Sequence, residues 1–403
     1  MAPLPISPED RWLGVGRTVA DDPAVAGREA VSAALAGRTP SLLMVFCSHT
    51  YELAKLLDAV RADLPGPTAI VGGTTNGQLA GPGLGLNAGN VPMGAVVVAL
   101  GGRGFEVRTQ AVREASGRRR EAGMDAAASM ATIDKPHGVC LLLSDGLTRE
   151  QHEIVRGAYS VLGAAVPIVG GCSGDDLRYD RTYQFHGDAG GVEILTDAVI
   201  GVGLGSDAPL GVGIAHGWAK RGDPMVVTSS SGGQIFMLDN EPALDVYLRR
   251  LEADRSLLDD LEAFRVFAFK NPLGLSRRTG EDIRVVHDGD PGDGSLLCLA
   301  DVPQGALAWA MGTDKDSLIT AAAESCGQAV AMLGGPEPIG LVTFDCGARK
   351  VMLGDDGLDR EIAAIGKAVG GAPFGGFYTY GEMARTSGAR GMHHLTVVAL
   401  AVA

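Results

Sequence analysis

Residues 138–177 decide the fold. They read GVCLLLSDGL (138–147), TREQHEIVRGAYSVL (148–162) and GAAVPIVGGCSGDDL (163–177). The first piece is a short apolar run that ends in small polar residues, the pattern of a buried strand and its turn. The second places Ile154, Val155, Ala158, Val161 and Leu162 at helical spacing. The third returns to a short apolar run and ends on the double glycine Gly170-Gly171. Strand, helix and strand joined by short turns favour parallel pairing through a right-handed crossover.

The pattern occurs twice more. Residues 41–79 read SLLMVFCSHT, YELAKLLDAVRADL and PGPTAIVGGTTNGQL, and residues 338–383 contain PIGLVTFDCGAR, GLDREIAAIGKAV and GGAPFGGFYTYGEM. Leu53, Leu56, Leu57, Val60 and Leu64 form one helical stripe; Leu358, Ile362, Ile365 and Val369 form another. A helix is expected before each unit (23–36, 117–131, 316–333) and a strand after it (Ala95–Leu100, Ala198–Leu204, Leu395–Ala401). Gly73, Gly171 and Gly376 are expected at matching strand ends. A further helix follows 239–242, with Asp239 or Asn240 as its cap, Pro242 in its first turn and Leu244, Tyr247, Leu248 and Leu251 as its stripe. Extra strands are expected at Arg265–Phe269, Ile283–His287, Ser295–Ala300 and Ala306–Met311, and surface loops at 81–92 and 286–295. The expected fold is α/β, two lobes built from repeated strand–helix–strand units with mixed sheets and helices packed on them. The division falls between 14–230, with two units, and 231–403, with the helix at 241–251, the extra strands and the third unit.

Composition narrows the class. The 403 residues are 46% hydrophobic and 20% charged, enough apolar material for real cores. The 59 glycines have no collagen period. A formal charge of −14 argues against a nucleic-acid binder, and Arg118-Arg119-Arg120 reads as a solvated helix face. The first residues lack a basic stretch followed by an apolar one, so no export leader is expected. The longest apolar runs are strand length, so no membrane span is expected either. Six cysteines without a C-x-x-C pair favour a reducing cytoplasm over a disulfide or zinc scaffold.

Ligands in such units collect beyond the carboxyl ends of the strands. The turns that reach this edge are 47–50, 144–146 and 345–349 after the leading strands, and 72–77, 170–176 and 375–382 at the glycine pairs. Small hydroxyl, thiol and acid side chains follow the glycines, a composition suited to hydrogen-bonding a small molecule. Cys326 lies on the apolar face of the 316–333 helix and reads as core, as do Cys140 and Cys298. Cys47, Cys172 and Cys346 stand at strand ends, as core or as site residues. Asp175-Asp176 reads as a turn or cap pair rather than a cation loop. His186, His216, His393 and His394 read as hydrogen-bonded structural histidines, with metal or haem ligation as the alternative.

The chain resembles the FIST family, which pairs a FIST N-terminal with a FIST C-terminal domain. The resemblance rests on VGGTTNGQL (71–79), VGGCSGDD (169–176), TYQFHGD (182–188), DAVIGVGL (197–204), HGW (216–218), EPALDVYLRRL (241–251), GDGSLLCLADVPQG (292–305), GFYTYGE (376–382) and HHLTVVALA (393–401). It covers roughly 14–403; Asp345-Cys346-Gly347-Ala348-Arg349 departs from the family's usual order of small residue, Cys, Ala, Gly, Arg. It implies a cytoplasmic sensory module that binds a small polar metabolite and signals through a separate protein such as a kinase or cyclase. No cofactor is expected, with haem as the alternative, since some members look like haem-binding nitric-oxide sensors. An enzyme with Cys346 or Cys172 as nucleophile, and Asp345, Asp175 or a histidine as base, is the reading from another class. The expected site is a pocket between the lobes lined by Cys172, Ser173 and Asp175 from the first and by Cys346, Arg349, Tyr378, Tyr380 and Glu382 from the second. Arg349 would clamp an anion there, and Tyr378 and Tyr380 would face one side.

Overall fold

The computed structural model describes residues 11–62, 64–81, 94–148, 150–277, 280–386 and 391–403. Apart from Gly81, the loop expected at 81–92 lies outside them.

The first repeat runs β1 (Trp12–Thr18), α1 (Pro23–Leu35), β2 (Pro40–Cys47), α2 (Leu53–Arg61), β3 (Ala69–Thr74), β4 (Gln78–Gly81) and β5 (Ala95–Gly101). The second runs β6 (Phe105–Val112), α3 (Arg119–Ala127), β7 (His137–Ser144), α4 (His152–Leu162), β8 (Ile168–Cys172), β9 (Gln184–Asp188), β10 (Gly191–Leu195) and β11 (Val199–Ser206). The third opens with β12 (Leu210–Ala215). A long insertion follows: β13 (Ala219–Ser231), β14 (Gln234–Leu238), β15 (Glu241–Pro242), α5 (Ala243–Arg250), α6 (Leu261–Lys270), β16 (Leu273–Ser276), β17 (Glu281–Arg284), β18 (Val286–Asp290), β19 (Ser295–Cys298) and β20 (Leu307–Gly312). The repeat then resumes with α7 (Lys315–Ala331), β21 (Gly340–Cys346), α8 (Gly347–Ala368), β22 (Phe374–Thr379), β23 (Glu382–Arg385), β24 (Met392–His393) and β25 (Val397–Val402).

Each repeat builds its own sheet except for the strand after its glycine turn, which β10 in the second repeat and β24 in the third follow onto another repeat's sheet. The leading strand pairs in parallel with the second strand, and antiparallel with the last strand of its repeat. The strand after the glycine turn leaves home. β4 of the first repeat pairs with β22 of the third, β23 of the third pairs with β8 of the second, and β9 of the second pairs with β3 of the first. The exchange is cyclic, so each repeat's sheet is completed by another repeat.

The glycines mark the tightest approach. A Cβ on Gly72, Gly170 or Gly376 would lie 1.9, 1.9 or 1.8 Å from the carbonyl oxygen of Val45, Leu142 or Thr343 on the neighbouring strand. Gly72 and Gly170 also have φ of 156° and 152°. The registers therefore equate Gly72, Gly170 and Gly376. Gly73 and Gly171 match each other as expected, but Phe377 holds their position in the third repeat. The third double glycine sits one residue early because Phe377 fills the space, its ring 4.5 Å from Phe46 and 5.7 Å from Phe344.

One core is shared by all three repeats. Leu42, Met44 and Phe46, Leu141 and Leu143, and Val342 and Phe344 meet in it. The other face of the first sheet packs on α1 and α2, and that of the second on α3 and α4. Arg118, Arg119 and Arg120 pair with Asp125, Glu150 and Glu153, consistent with a solvated face.

The chain forms two compact units, and they are not its two sequence halves. The larger holds 1–216, 319–392 and 396–403, hence all three repeats; the smaller holds 217–318 and 393–395. Strand exchange ties the third repeat to the first two. The smaller unit is a mainly antiparallel sheet with its own core around Leu244, Tyr247 and Phe264.

Three local expectations are corrected. Arg265–Phe269 lies within α6, because the Asp260 carboxylate accepts from Glu262 N and Ala263 N and starts a helix that buries Phe264 and Ala268. Residues 286–295 are a hairpin of β18 and β19 with a turn at its tip. Pro242 stands at the N-cap of α5 without a side-chain cap bond. Asp239 instead accepts from Val226 N at 2.7 Å, and Asn240 N donates to Thr228 Oγ1 at 3.0 Å.

The glycine contacts predict opposite effects for two alanine substitutions. Gly170→Ala should cost more than about 3 kcal/mol, since backbone must move. Gly327→Ala, in α7 with open space beside it, should gain up to about 1 kcal/mol. Denaturant unfolding of both variants checks the pair.

Candidate functional site

The exchanged strands meet at the carboxyl ends of the parallel pairs, and backbone hydrogen bonds there close into a ring. Asn76 N donates to Tyr378 O (2.9 Å), Tyr380 N to Cys172 O (3.1 Å) and Gly174 N to Thr74 O (2.8 Å). A second cycle runs beside it: Thr74 N to Tyr183 O (3.0 Å), Cys172 N to Gly381 O (2.9 Å) and Tyr378 N to Gly77 O (2.8 Å). The same four backbone atoms of the repeat unit are used each time. The ring thus equates Thr74, Cys172 and Tyr378, and likewise Asn76, Gly174 and Tyr380.

Side-chain size alternates around it. A Cβ on Gly347 would lie 2.7 Å from Asn76 Nδ2, and one on Gly146 would lie 2.7 Å from the Tyr380 ring. A Cβ on Gly174 would lie 2.5 Å from the Asn76 side chain. Asn76 is fully buried; its Oδ1 accepts from Leu177 N at 3.1 Å, while its Nδ2 has no hydrogen-bond partner.

The second repeat departs from the other two by a longer turn. Residue 74 is linked to 77, and 378 to 381, but 172 to 183. The extra residues, 175–182, form a loop on the ring. Asp176, Leu177 and Tyr179 have φ near +60°, a region that costs a non-glycine residue about 1 kcal/mol or more. The Asp175 carboxylate holds it, accepting from Tyr179 N (3.0 Å), Asp180 N (2.7 Å), Arg181 N (3.0 Å) and the Tyr380 hydroxyl. Burial pushes the Asp175 carboxyl up, but these donors outweigh it and leave the carboxyl below its ordinary value. Tyr179 stacks on Tyr380 at 4.9 Å and is 63% exposed. Arg178 reaches His49 Nε2 at 3.1 Å, and Lys350 Nζ donates to Asn76 O at 2.6 Å and approaches Asp176 at 3.4 Å.

Behind the ring lies a buried quartet. Arg349 Nε donates to Asp345 Oδ1 at 2.7 Å and its Nη2 to Glu361 Oε1 at 2.8 Å; Tyr378 donates to Glu361 Oε2 at 2.8 Å. The guanidinium also donates to His216 O at 3.3 Å. α8 is kinked at Gly354 (φ 60°, ψ 178°), so Arg349 and Glu361 bridge its two halves. Burial and the Asp345 charge push the Glu361 carboxyl up to about 8, and burial also raises Asp345. Two carboxyls around one guanidinium are best satisfied by one proton shared between them, which accounts for the otherwise unpartnered Asp345 Oδ2.

All eight expected ligand residues lie in the larger unit. Cys172, Ser173, Asp175, Tyr380 and Glu382 are brought together at the ring. Cys346 is the N-cap of α8 and lies near enough to Tyr179 to act on its charge. Arg349 is fully buried on protein carboxylates. Tyr378 and Tyr380 do not face one side: Tyr378 ends on Glu361, whereas Tyr380 lies past the end of β22 and turns to Asp175. Cys172 is fully buried, Ser144 Oγ at 3.2 Å is its side-chain hydrogen-bond partner, and burial, with the nearby Glu382 and Asp145 carboxyls, raises its thiol. Cys140, Cys298 and Cys326 are buried as read. His186 meets Thr109 Oγ1 at 3.1 Å. Two surface depressions, ≈ 390 Å³ by Arg113 and Arg118 and ≈ 330 Å³ by Arg255 and Pro291, include no ring residue. Tyr179, Glu361 and Lys350 escaped the sequence reading. Aligning the three glycine turns would have exposed the extra loop and with it Tyr179.

Two substitutions test this arrangement. Arg349→Ala should destabilise the protein by about 3–5 kcal/mol, because it strands buried carboxyls. Asp175→Ala should leave the fold intact and make residues 176–181 the first site of limited proteolysis.

The chain matches the FIST N domain over residues 41–241 and the FIST C domain over 243–385. An uncharacterized protein of Mycobacterium tuberculosis is 28% identical over 401 residues, 95% of this chain and 97% of the relative. An uncharacterized protein of Mycobacterium bovis is 27% identical over 403 residues, with the same coverages. FIST domains are generally sensor domains of signal transduction. The two matches cover nearly the whole chain, and the protein belongs to the FIST family.

Proposed function

We propose that this protein senses a small polar metabolite at the outer face of the strand-end ring and passes the signal to a separate partner, such as a kinase or cyclase. The observation that carries the reading is the divergence of the repeats at the ring. Where three equivalent loops converge, only the second has the 175–182 insertion, which stacks the exposed Tyr179 on Tyr380. The same place gathers Lys350, Arg178, His49 and Cys346, and holds the unpartnered Asn76 Nδ2 beneath. An aromatic platform ringed by a few polar groups suits a small ligand with both a flat and a polar part. In this reading Asp175, Cys346 and Tyr380 contact ligand, while Cys172, Ser173, Arg349, Tyr378 and Glu382 build the frame.

Isothermal titration against amino acids and central metabolites tests it, with mass spectrometry for turnover and a visible-absorption scan for haem. For a ligand so found, Tyr179→Ala should weaken binding about tenfold or more without changing the melting temperature. Unchanged affinity in both Tyr179→Ala and Lys350→Ala would remove the ring face from the site.

A further inference from the structure

The ring equates three further residues, and one of them has the wrong chemistry. Gln78, Gln184 and Glu382 are the first residues of the exchanged strands, opposite Phe377, Gly73 and Gly171. All three are buried, Gln184 and Glu382 completely. Gln78 Nε2 donates to Thr75 Oγ1 at 2.7 Å, and that oxygen also accepts from Gly77 N at 3.1 Å. Gln184 Nε2 donates to Thr182 Oγ1 at 3.3 Å, and its Oε1 accepts from Ala198 N at 3.3 Å. Glu382 reproduces both halves. Its Oε1 is 2.6 Å from Thr379 Oγ1, which accepts from Gly381 N at 3.1 Å; its Oε2 accepts from Thr396 N at 3.2 Å and meets Thr396 Oγ1 at 2.9 Å. Thr379 corresponds to Thr75, and Thr396 to Ala198, each one residue before its repeat's last strand.

At Gln184 the position uses one donor and one acceptor; around Glu382 the Thr379 and Thr396 hydroxyls can each accept as well as donate. An amide supplies both, a carboxylate only acceptors, and a carboxylic acid both again. The ionisable groups facing Glu382 do not favour a charge. Across β8 stands the buried Cys172 thiol; at the end of β21 stands Asp345, a like charge, already paired with Arg349, which Glu361 shares. Among the described residues no Lys, Arg or His pairs with Glu382.

We propose that Glu382 carries a proton at neutral pH, serving as the ring's third glutamine, and that its ionisation is a pH-sensitive break in the joint between β23 and the second repeat. This rests on the ring and not on the ligand reading. Burial pushes the carboxyl up to about 8 against the pull of its threonine donors. The folded value exceeds the ordinary carboxylate value of about 4.3. The site's contribution is thus full below that value and is lost as pH rises to about 8, near which the joint loosens.

Glu382→Gln is the test, with Glu382→Ala as the structural comparison. The glutamine variant should fold, melt at or above the wild-type temperature at pH 7, and lose less stability between pH 5 and 8. The difference should approach about tenfold in the folding constant per pH unit. Infrared spectra should show protonated-carboxyl absorption in the wild type, part of it from the Asp345–Glu361 pair, and Glu382→Gln should remove the remainder. The alanine variant should be weaker at every pH. A glutamine variant that is less stable than wild type with the same pH slope overturns the proposal. If that variant fails to fold, the infrared titration of Glu361→Gln decides: a protonated-carboxyl band lost near pH 8 supports it, and no such band overturns it.

Discussion

Cyclic exchange of the strand after each glycine turn is the constraint on which the larger unit depends. Each repeat alone would present an open edge at its second strand, with unpaired N–H and C=O groups. Here every such edge is covered by another repeat, and the six ring bonds fix the register where the cover begins. A closed cycle has no natural place to be cut. That is why the compact unit runs through both family domains, whose boundary at 241–243 falls inside the inserted segment 217–318. A long insertion is tolerated between β12 and α7 because neither end of it lies on the ring.

Symmetry also separates framework from function. Positions at which the three repeats agree are structural: the glycines that let adjacent strands approach, and the glutamine-like side chains that open the exchanged strands. Positions at which they differ are where the proposed ligand face lies. Asn76, Gly174 and Tyr380 share one place in the repeat and have nothing in common as side chains. The 175–182 loop and the kink of α8 at Gly354 are each confined to one repeat; the loop adjoins Tyr380 and Cys346, and α8 begins at Cys346. The Arg349 quartet then reads as the brace that fixes α8 behind this face.

Much of the frame was legible. The three strand–helix–strand units follow from periodicity and the glycine pairs, and the buried Cys326 from its helical stripe. The exchange was not legible, because pairing partners of short strands such as Gln78–Gly81 leave no local mark. Arg265–Phe269 reads as a strand by its aromatics; its helix depends on a single capping carboxylate, Asp260. The anion-clamp reading of Arg349 came from residue type alone; Glu361, its second partner, lies beyond the kink and shows no pattern that ties it to residue 349. Tyr378 and Tyr380 alternate in sequence, but the strand ends between them, so alternation does not set their directions.

Amide hydrogen exchange tests the ring most directly. The amides of Thr74, Asn76, Cys172, Gly174, Tyr378 and Tyr380 should exchange slowly and together, and Phe377→Ala in the third repeat should accelerate all six equally. If that substitution frees only Tyr378 and Tyr380 while Thr74 and Asn76 keep their protection, the repeats are not joined in one closed cycle.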